Sequence, residues 1–173
     1  PPRKPRHRPK KSAKKPAKKA KTPARKTTKP RAKAADVATP VGLTTALYEG
    51  IGVTNGKGPD WKRIGTLMLP GGRFGFSMGG PFQYLSIEEF AEFAVEALAV
   101  DNFREKELFH VPTRFGNIAH VYSTFVGVYN DGEAVRRGIN SIQLMWQDNR
   151  WWLVSIIWDD ESPENPLPAA HLP

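Results

Sequence analysis

The sequence predicts an α+β domain in which three N-terminal helices pack on one face of a curved antiparallel sheet. Two observations lead to this fold class. Residues 39–98 carry apolar side chains at helical spacing, and residues 103–160 form alternating apolar and polar runs separated by turns. A third observation separates this domain from a tail. The first 35 residues hold 16 Lys or Arg and no acid, whereas the remainder holds 10 basic residues and all 17 acidic ones.

Residues 1–36 are predicted to be a disordered tail. The first 35 residues contain no Val, Ile, Leu, Met or aromatic residue, so they cannot bury enough apolar surface to offset their ordering entropy. Their Lys-, Ala- and Pro-rich composition resembles that of linker-histone tails, and polycations bind nucleic acid non-specifically by releasing counterions. The alternative is an incidental, solubilising extension. The candidate nucleic-acid contacts are Lys10, Lys11, Lys14, Lys15, Lys18 and Lys19.

Residues 37–173 have the length of a single domain with its own core. The absence of cysteine excludes disulfides and thiolate metal sites and fits a cytoplasmic location. The four histidines lack the spacing of metal ligands, so neither a metal nor a cofactor is expected. No apolar run approaches the length of a membrane span, and no membrane partner is expected.

The first two helices are marked by their N-terminal residues. Thr39 precedes a proline, a favourable arrangement of N-cap and first helical position, and residues 43, 47 and 51 are apolar. Asp60 is predicted to cap a second, short helix that carries Trp61 and Met68 and ends near Pro70. The glycine-rich stretch 71–84 is expected to form a short irregular hairpin.

The third helix carries the clearest signal. Ser86 and Glu89 have the spacing of a capping box, and Leu85 and Phe90 that of a hydrophobic staple. One face of this helix is apolar, which predicts that it packs on the sheet. The apolar stripe consists of Phe90, Phe93, Ala94, Ala97 and Leu98.

Four strands are predicted at about 104–114, 118–129, 135–147 and 151–160. Two-residue turns at Asp131-Gly132 and Asp148-Asn149 would join the last three. The first turn would pair His120 with Gln143, and the second would pair Ile139 with Trp158. Side-chain alternation then defines two faces. One carries His120, Tyr122, Thr124, Arg137, Ser141, Gln143, Trp152 and Trp158; the other carries Val121, Ser123, Phe125, Asn140, Ile142, Leu144, Trp146, Trp151, Leu153 and Ile157.

Several segments resemble the SnoaL-like branch of the nuclear transport factor two-like superfamily. They are Asp60-Trp61, residues 115–125, residues 137–144 and the stretch Arg150-Trp-Trp-Leu-Val-Ser-Ile-Ile-Trp158. The resemblance covers about residues 43–173. It implies a cone-shaped sheet wrapped around helices, with an apolar cavity at the open end, and a dimer. In members with chemistry, it implies polar working residues on the concave sheet face and the second helix.

The face with His120 is predicted to line the cavity, with the opposite face as the alternative. His120 and Tyr122 are the candidate catalytic residues, since histidine shuttles protons and tyrosine can polarise a carbonyl. The alternative places His120 on a sheet surface, Asp60 as a helix cap and Arg137 at a solvated rim. The candidate ligand-binding residues are Asp60, Trp61, Arg137, Ser141, Gln143 and Trp158.

Two functions remain open from the sequence, and the alternative to both is a domain without activity of its own that carries an incidental tail. The first is a homodimeric domain that binds a small apolar ligand, with or without isomerase- or dehydratase-type catalysis. The second is a non-catalytic dimerisation module that presents the basic tail to nucleic acid. Adjacent Trp151 and Trp152 must point to opposite faces of the sheet, which favours a dimer that covers both faces.

Overall fold

The computed structural model describes residues 31–77, 79–132 and 134–173. The tail lysines between Lys10 and Lys19 lie outside the described residues. Within these ranges, four helices and six strands follow one another, with short 3₁₀ turns at Asn130–Gly132 and Ala169–His171. They are α1 (Ala34–Val37), α2 (Pro40–Ile51), α3 (Trp61–Leu67), β1 (Met68–Phe76), β2 (Gln83–Leu85), α4 (Ile87–Ala97), β3 (Phe103–Phe115), β4 (Ile118–Tyr129), β5 (Ala134–Gln147) and β6 (Arg150–Asp160). No helix in these ranges combines the length and apolar character that crossing a membrane requires.

The caps of the three predicted helices are confirmed. The Thr39 side chain accepts a hydrogen bond from the Gly42 amide at 3.0 Å, and Asp60 accepts from the Arg63 amide at 2.9 Å. At α4, Ser86 and Glu89 form both bonds of the capping box. Each cap satisfies amide groups that have no partner within the helix, and so fixes where the helix begins.

Helix α1 was not predicted, and it lies partly within the segment assigned to the tail. It is held by packing and by one ion pair. Val37 is buried in the core, and Asp36 binds the Arg63 guanidinium of α3 at 3.1 Å. The same guanidinium reaches Glu49 of α2 at 2.8 Å. Arg63 therefore joins the first three helices.

The strands form one curved, unclosed sheet in the order β2-β1-β6-β5-β4-β3. The predicted antiparallel meander of the last four strands is confirmed, and β1 and β2 form the expected short hairpin. The sequence did not indicate that β1 begins at Met68 and pairs in parallel with β6. This pairing extends the sheet by two strands and places α4, which follows β2, over its concave face.

The register between β4 and β5 is confirmed along its whole length, with His120 opposite Gln143 and Tyr122 opposite Ser141. The register between β5 and β6 is confirmed only near the turn. After Leu144 and Leu153 a bulge at Val154 shifts the pairing by one residue. The predicted partnership of Trp158 with Ile139 is therefore wrong. Trp158 pairs with Asn140 and shares its face.

The helices pack on the face that carries Val121, Phe125 and Ile142, so this face is concave. The convex face is partly covered by the C-terminal segment, where Thr124 donates a hydrogen bond to the His171 carbonyl at 2.6 Å and Tyr122 meets the His171 ring at 4.9 Å. The main core cluster is formed by Val37, Leu43, Ala46, Leu47, Ile64, Leu67, Met68, Phe74, Phe76, Phe90, Ala119, Val121, Ile142, Leu144, Trp151, Leu153 and Ile156.

Gly138 marks a close approach within the sheet. A Cβ atom at this position would lie 2.8 Å from the Phe125 ring and would also collide with the Asp159 carbonyl oxygen. The missing side chain allows Phe125 to lie across β5 beneath the helices. Because a backbone atom takes part in the collision, the neighbours cannot relieve it by a change of rotamer.

We expect Gly138→Ala to lower the free energy of unfolding by about 2 kcal/mol, the cost of overpacking a core site. Urea denaturation followed by circular dichroism measures this change. Gly58→Ala is the matched control, since nothing lies within 4 Å of a Cβ built there. Equal stability of the two variants would contradict the close approach.

Candidate ligand cavity

A cavity of about 240 Å³ lies between the concave face of the sheet and helices α2 and α4. Phe93 and Ala97 line it and are exposed to solvent, so the mouth lies near the C-terminal end of α4. The volume suits a molecule of about ten carbon atoms. The lining residues are Leu47, Tyr48, Ile51, Phe74, Phe90, Phe93, Ala94, Ala97, Leu98, Phe103, Glu105, Phe125, Tyr129, Arg136, Asn140, Ile156 and Trp158.

One wall of the cavity is aromatic. The Phe90 ring of α4 stacks on Phe74 at 4.4 Å and meets the Trp158 ring edge-on at 5.5 Å. Trp158 in turn stacks on Phe76 at 4.7 Å. These contacts fix the rings in place, and an apolar surface that is already ordered binds an apolar ligand without a large entropic cost.

The polar wall is small and fully connected. Asn140 Nδ2 donates to the Tyr48 hydroxyl at 2.9 Å and to Glu105 Oε1 at 3.4 Å. Asn140 is buried, and Tyr48 comes from α2, so this wall joins the helix to β5 and β3. Three polar groups thus meet at one point of a mostly apolar cavity, as in binding sites for small molecules.

The same hydrogen bonds continue into the wall behind Tyr48. The Tyr48 hydroxyl bonds Ser123 Oγ at 2.7 Å, and Ser123 donates to Glu107. The other carboxylate oxygen of Glu107 contacts His110 Nδ1 at 2.7 Å. The His110 side chain is one-third exposed, so the chain of bonds runs from the cavity to the protein surface.

Glu105 lines the cavity with a carboxyl group whose pKa is strongly raised. The residue as a whole is half-buried, but its carboxyl group faces the cavity. Burial raises its pKa from the ordinary 4.5 to about 7, and nearby Arg136 and the Asn140 hydrogen bond only partly oppose this shift. Glu105 can therefore hold or release a proton near neutral pH. Burial, followed by the charge of Glu105, raises the pKa of Tyr48, which stays a neutral phenol.

Arg136 closes the cavity beside Glu105. Its guanidinium lies over the Phe125 ring, 5.2 Å from the centroid, and binds Asp160 at 2.7 Å. Burial works against its charge, but a hydrogen bond with Tyr129 and the charge of Asp160 raise the pKa of Arg136. Among the described residues, Arg136 Nε finds no hydrogen-bond partner, although it is buried.

Three solved structures share this architecture. An NTF2-like protein of unknown function from Silicibacter pomeroyi is 14% identical with a TM-score of 0.54, and the match covers 70% of this chain and 92% of that one. An uncharacterised protein with a cystatin-like fold from Caulobacter vibrioides is 13% identical with a TM-score of 0.54, covering 72% and 88%. A candidate dehydratase from the NTF2-like family of Streptomyces avermitilis is 18% identical with a TM-score of 0.55, covering 70% and 94%.

The chain has the NTF2-like fold. No protein-family model matches the sequence, and no curated protein matches it either. At these identities the likeness establishes the cone-shaped architecture alone. The chemistry of this NTF2-like cone depends on its own side chains.

The prediction that the His120 face lines the cavity is wrong. His120, Tyr122, Ser141 and Gln143 lie on the convex face of the cone, opposite the helices. His120 Nε2 bonds Ser141 Oγ at 3.0 Å, its ring lies 5.8 Å from that of Tyr122, and Gln143 is exposed. The two faces were assigned the wrong way round. The more apolar set could be plain core beneath the helices, whereas the mixed set with His120 and Tyr122 has the composition of a pocket.

The other predicted ligand-binding residues divide between the cavity and the scaffold. Trp158 lines the cavity, because the bulge at Val154 turns it to the concave face. Asp60 caps α3, Trp61 packs edge-on against Phe90 at 5.7 Å, and Arg137 forms a two-bond ion pair with Glu161 at the rim.

Sequence reasoning missed Tyr48, Glu105 and Arg136. Glu105 and Glu107 are two residues apart and so share one face of β3. A pairing carried on from the turn at Gly116 would have placed them opposite Val128 and Val126, on the convex side. A register shift between Glu107 and Phe109 brings them opposite Gly127 and Phe125, on the concave side, and no local pattern marks that shift. In the part of the chain that the structure describes, no three His, Asp or Glu side chains are grouped to hold a metal ion.

Glu105→Gln should become more stabilising as pH rises. A carboxyl whose pKa is raised in the folded state binds more protons folded than unfolded, so its ionisation destabilises the fold between about pH 4.5 and 7. Glutamine mimics the neutral carboxyl, and the gain over wild type should level off at about 3 kcal/mol above pH 7. Chemical denaturation across this pH range measures it.

The exposed Glu96→Gln on α4 is the control for the loss of one negative charge. A gain for Glu105→Gln that is the same at every pH, or that matches the Glu96→Gln variant, would contradict a buried, proton-holding Glu105.

Proposed function

We propose that this NTF2-like domain binds a small, mostly apolar molecule in the cavity and moves a proton to or from it through Glu105. The observation that carries this proposal is a carboxyl group with a pKa of about 7 in an apolar cavity. A general acid or base works best when its pKa lies near the working pH, because both protonation states are then populated. The SnoaL-like resemblance supports the same class, isomerase- or dehydratase-type chemistry without a cofactor.

The wall around Glu105 supports this role. Asn140 holds one carboxyl oxygen at 3.4 Å, which leaves the other free to exchange a proton with a ligand. Arg136, whose charge lies close enough to act on the Glu105 pKa, favours the carboxylate once the proton has left. The aromatic rings of Phe90 and Trp158 exclude water from one side of the site and hold a flat apolar skeleton.

Indane and 2-indanone test binding and proton transfer with one nine-carbon skeleton. We expect indane to bind the wild type, and Ala97→Phe at the mouth to weaken binding at least tenfold. Val95→Phe adds the same ring two residues away at an exposed position and should leave binding unchanged. With saturating 2-indanone in D₂O, the wild type should exchange the ligand's α-protons, and Glu105→Gln should lose this activity about 100-fold or more.

Binding and exchange are measured by NMR titration and mass spectrometry. Equal indane binding by Ala97→Phe and Val95→Phe would refute the cavity as the site. Exchange that survives in Glu105→Gln would refute the role of Glu105 while leaving the binding function intact.

A homodimer is part of the proposal. Val111, Ile118 and Ile157 are exposed on or beside the convex face, and a second copy would cover them. We also propose that the protein is cytoplasmic and that its basic tail contacts nucleic acid. A monomeric mass in sedimentation equilibrium at micromolar concentration would contradict the dimer.

A second candidate function is non-specific nucleic-acid binding, and one observation on the body favours it. Burial, and then the positive charge of Arg31, lower the pKa of Arg150, so the tail leaves the body beside this arginine. Arg114 lies at the same end of the cone, over the Trp151 ring at 5.0 Å, and the next residue, Phe115, is 84% exposed. The tail therefore continues into a basic end of the domain.

Arg31→Gln combined with Arg114→Gln should weaken binding of duplex DNA several-fold and reduce its salt dependence by about two counterions. Removal of residues 1–30 should weaken it much further. Lys57→Gln, a solvent-exposed change at the opposite end of β3, is the control. Fluorescence anisotropy across a salt series measures all four proteins. Binding unaffected by loss of the tail would contradict this function.

A further inference from the structure

The direction of the hydrogen bonds behind Tyr48 can be derived from the partners. Ser123 Oγ carries a single proton, and it donates this proton to a carboxyl oxygen of Glu107. Ser123 therefore has no proton left for Tyr48. In the 2.7 Å bond between the two hydroxyls, Tyr48 must be the donor. The only proton of the Tyr48 hydroxyl thus points into the wall, away from the cavity.

Asn140 uses up its own donors in the same wall. Its Nδ2 carries two protons, one given to the Tyr48 oxygen and the other to Glu105. What these three residues still present to the cavity is a free lone pair on the Tyr48 oxygen, the Asn140 carbonyl oxygen and the Glu105 carboxylate. When Glu105 is ionised, all three are acceptors. A tyrosine and an amide at a cavity wall usually offer donors as well. Here the Tyr48 hydroxyl and the Asn140 amide have already donated their protons to neighbouring groups.

We propose that the polar wall of the cavity accepts hydrogen bonds, so that its ligand is an apolar molecule carrying a hydroxyl group that donates to this wall. The inference rests on the proposed ligand-binding function and names the class of ligand for it. A carbonyl oxygen placed against these three groups would face lone pairs only, while Arg136 Nε beside them, which finds no partner among the described residues, is itself buried. A ligand hydroxyl would donate a hydrogen bond to one of these acceptors, whereas a carbonyl group has no proton to give, and such a difference in pairing is where binding sites gain selectivity.

Ser123 and Glu107 set this preference without touching the ligand, so they are positioning residues. Replacing Ser123 by alanine removes the acceptor that holds the Tyr48 proton, and this proton can then turn into the cavity. Glu107→Gln has a related effect, because the new amide group can donate to Ser123 and Ser123 can then donate to Tyr48. Both variants should convert Tyr48 from an acceptor into a donor.

The matched probes are indane, 2-indanol and 2-indanone, titrated by NMR into the full chain at a pH well above the pKa of Glu105. We expect the wild type to bind 2-indanol about tenfold more tightly than 2-indanone. In Ser123→Ala and Glu107→Gln this ratio should fall at least fivefold, mainly through tighter binding of the ketone. Adding Tyr48→Phe to Ser123→Ala should abolish the gain in ketone binding. Ser155→Ala removes a buried serine hydroxyl beside Gln143 and should keep the wild-type ratio.

Several results would overturn the inference. The wild type could prefer 2-indanone, the ratio could stay unchanged in both Ser123→Ala and Glu107→Gln, or Ser155→Ala could lower it equally. Indane binding without any preference between alcohol and ketone would overturn this inference alone. Failure of all three probes to bind would overturn the proposed cavity function as well. Thermal melting of each variant shows that it is folded, and the two independent variants guard against the loss of either one.

Discussion

The bonds of Tyr48 with Ser123 and Asn140 tie helix α2 to strands β4 and β5 inside an otherwise apolar interface. Buried hydroxyl and amide groups are costly unless each finds a partner, so the polar residues of three elements have to meet at one point. This requirement fixes how α2 lies on the sheet. It also brings Glu105 into the cavity, because Asn140 is the bridge between Tyr48 and the β3 carboxyl.

The electrostatics of the cavity follow from that geometry. Glu105 is enclosed by apolar side chains, with Asn140 and Arg136 as its polar neighbours. The cost of burying its charge is larger than the stabilisation that these two neighbours give to the charged form, so its pKa is raised. Glu107, only two residues away, has Ser123 and His110 as direct partners. Two acids of one strand face thus have different tasks. In the proposed function, Glu105 exchanges a proton with the ligand, and Glu107 orients the Ser123 and Tyr48 hydroxyl groups behind the cavity wall.

The cavity and the basic end of the domain lie at separate places on the molecule. The cavity opens near the end of α4, whereas Arg31, the first described residue, lies near Arg150, where Arg114 adds to the positive charge. A ligand function and a nucleic-acid function would therefore use different surfaces and need not compete. In the proposed homodimer, the convex face, which the segment around His171 covers in part, would form the contact between the two copies.

The sequence by itself determined the local structure. Thr39, Asp60 and the Ser86–Glu89 pair mark helix starts through bonds within three residues, and Asp148-Asn149 makes a tight turn with left-handed backbone angles. Only the tertiary structure decided which sheet face looks inward, because alternation gives two faces and the packing of helices chooses one. The bulge at Val154, which turns Trp158 into the cavity, and the raised pKa of Glu105 also depend on neighbours distant in the chain. Spacing and turn patterns within a short segment do not show which distant residues will contact it.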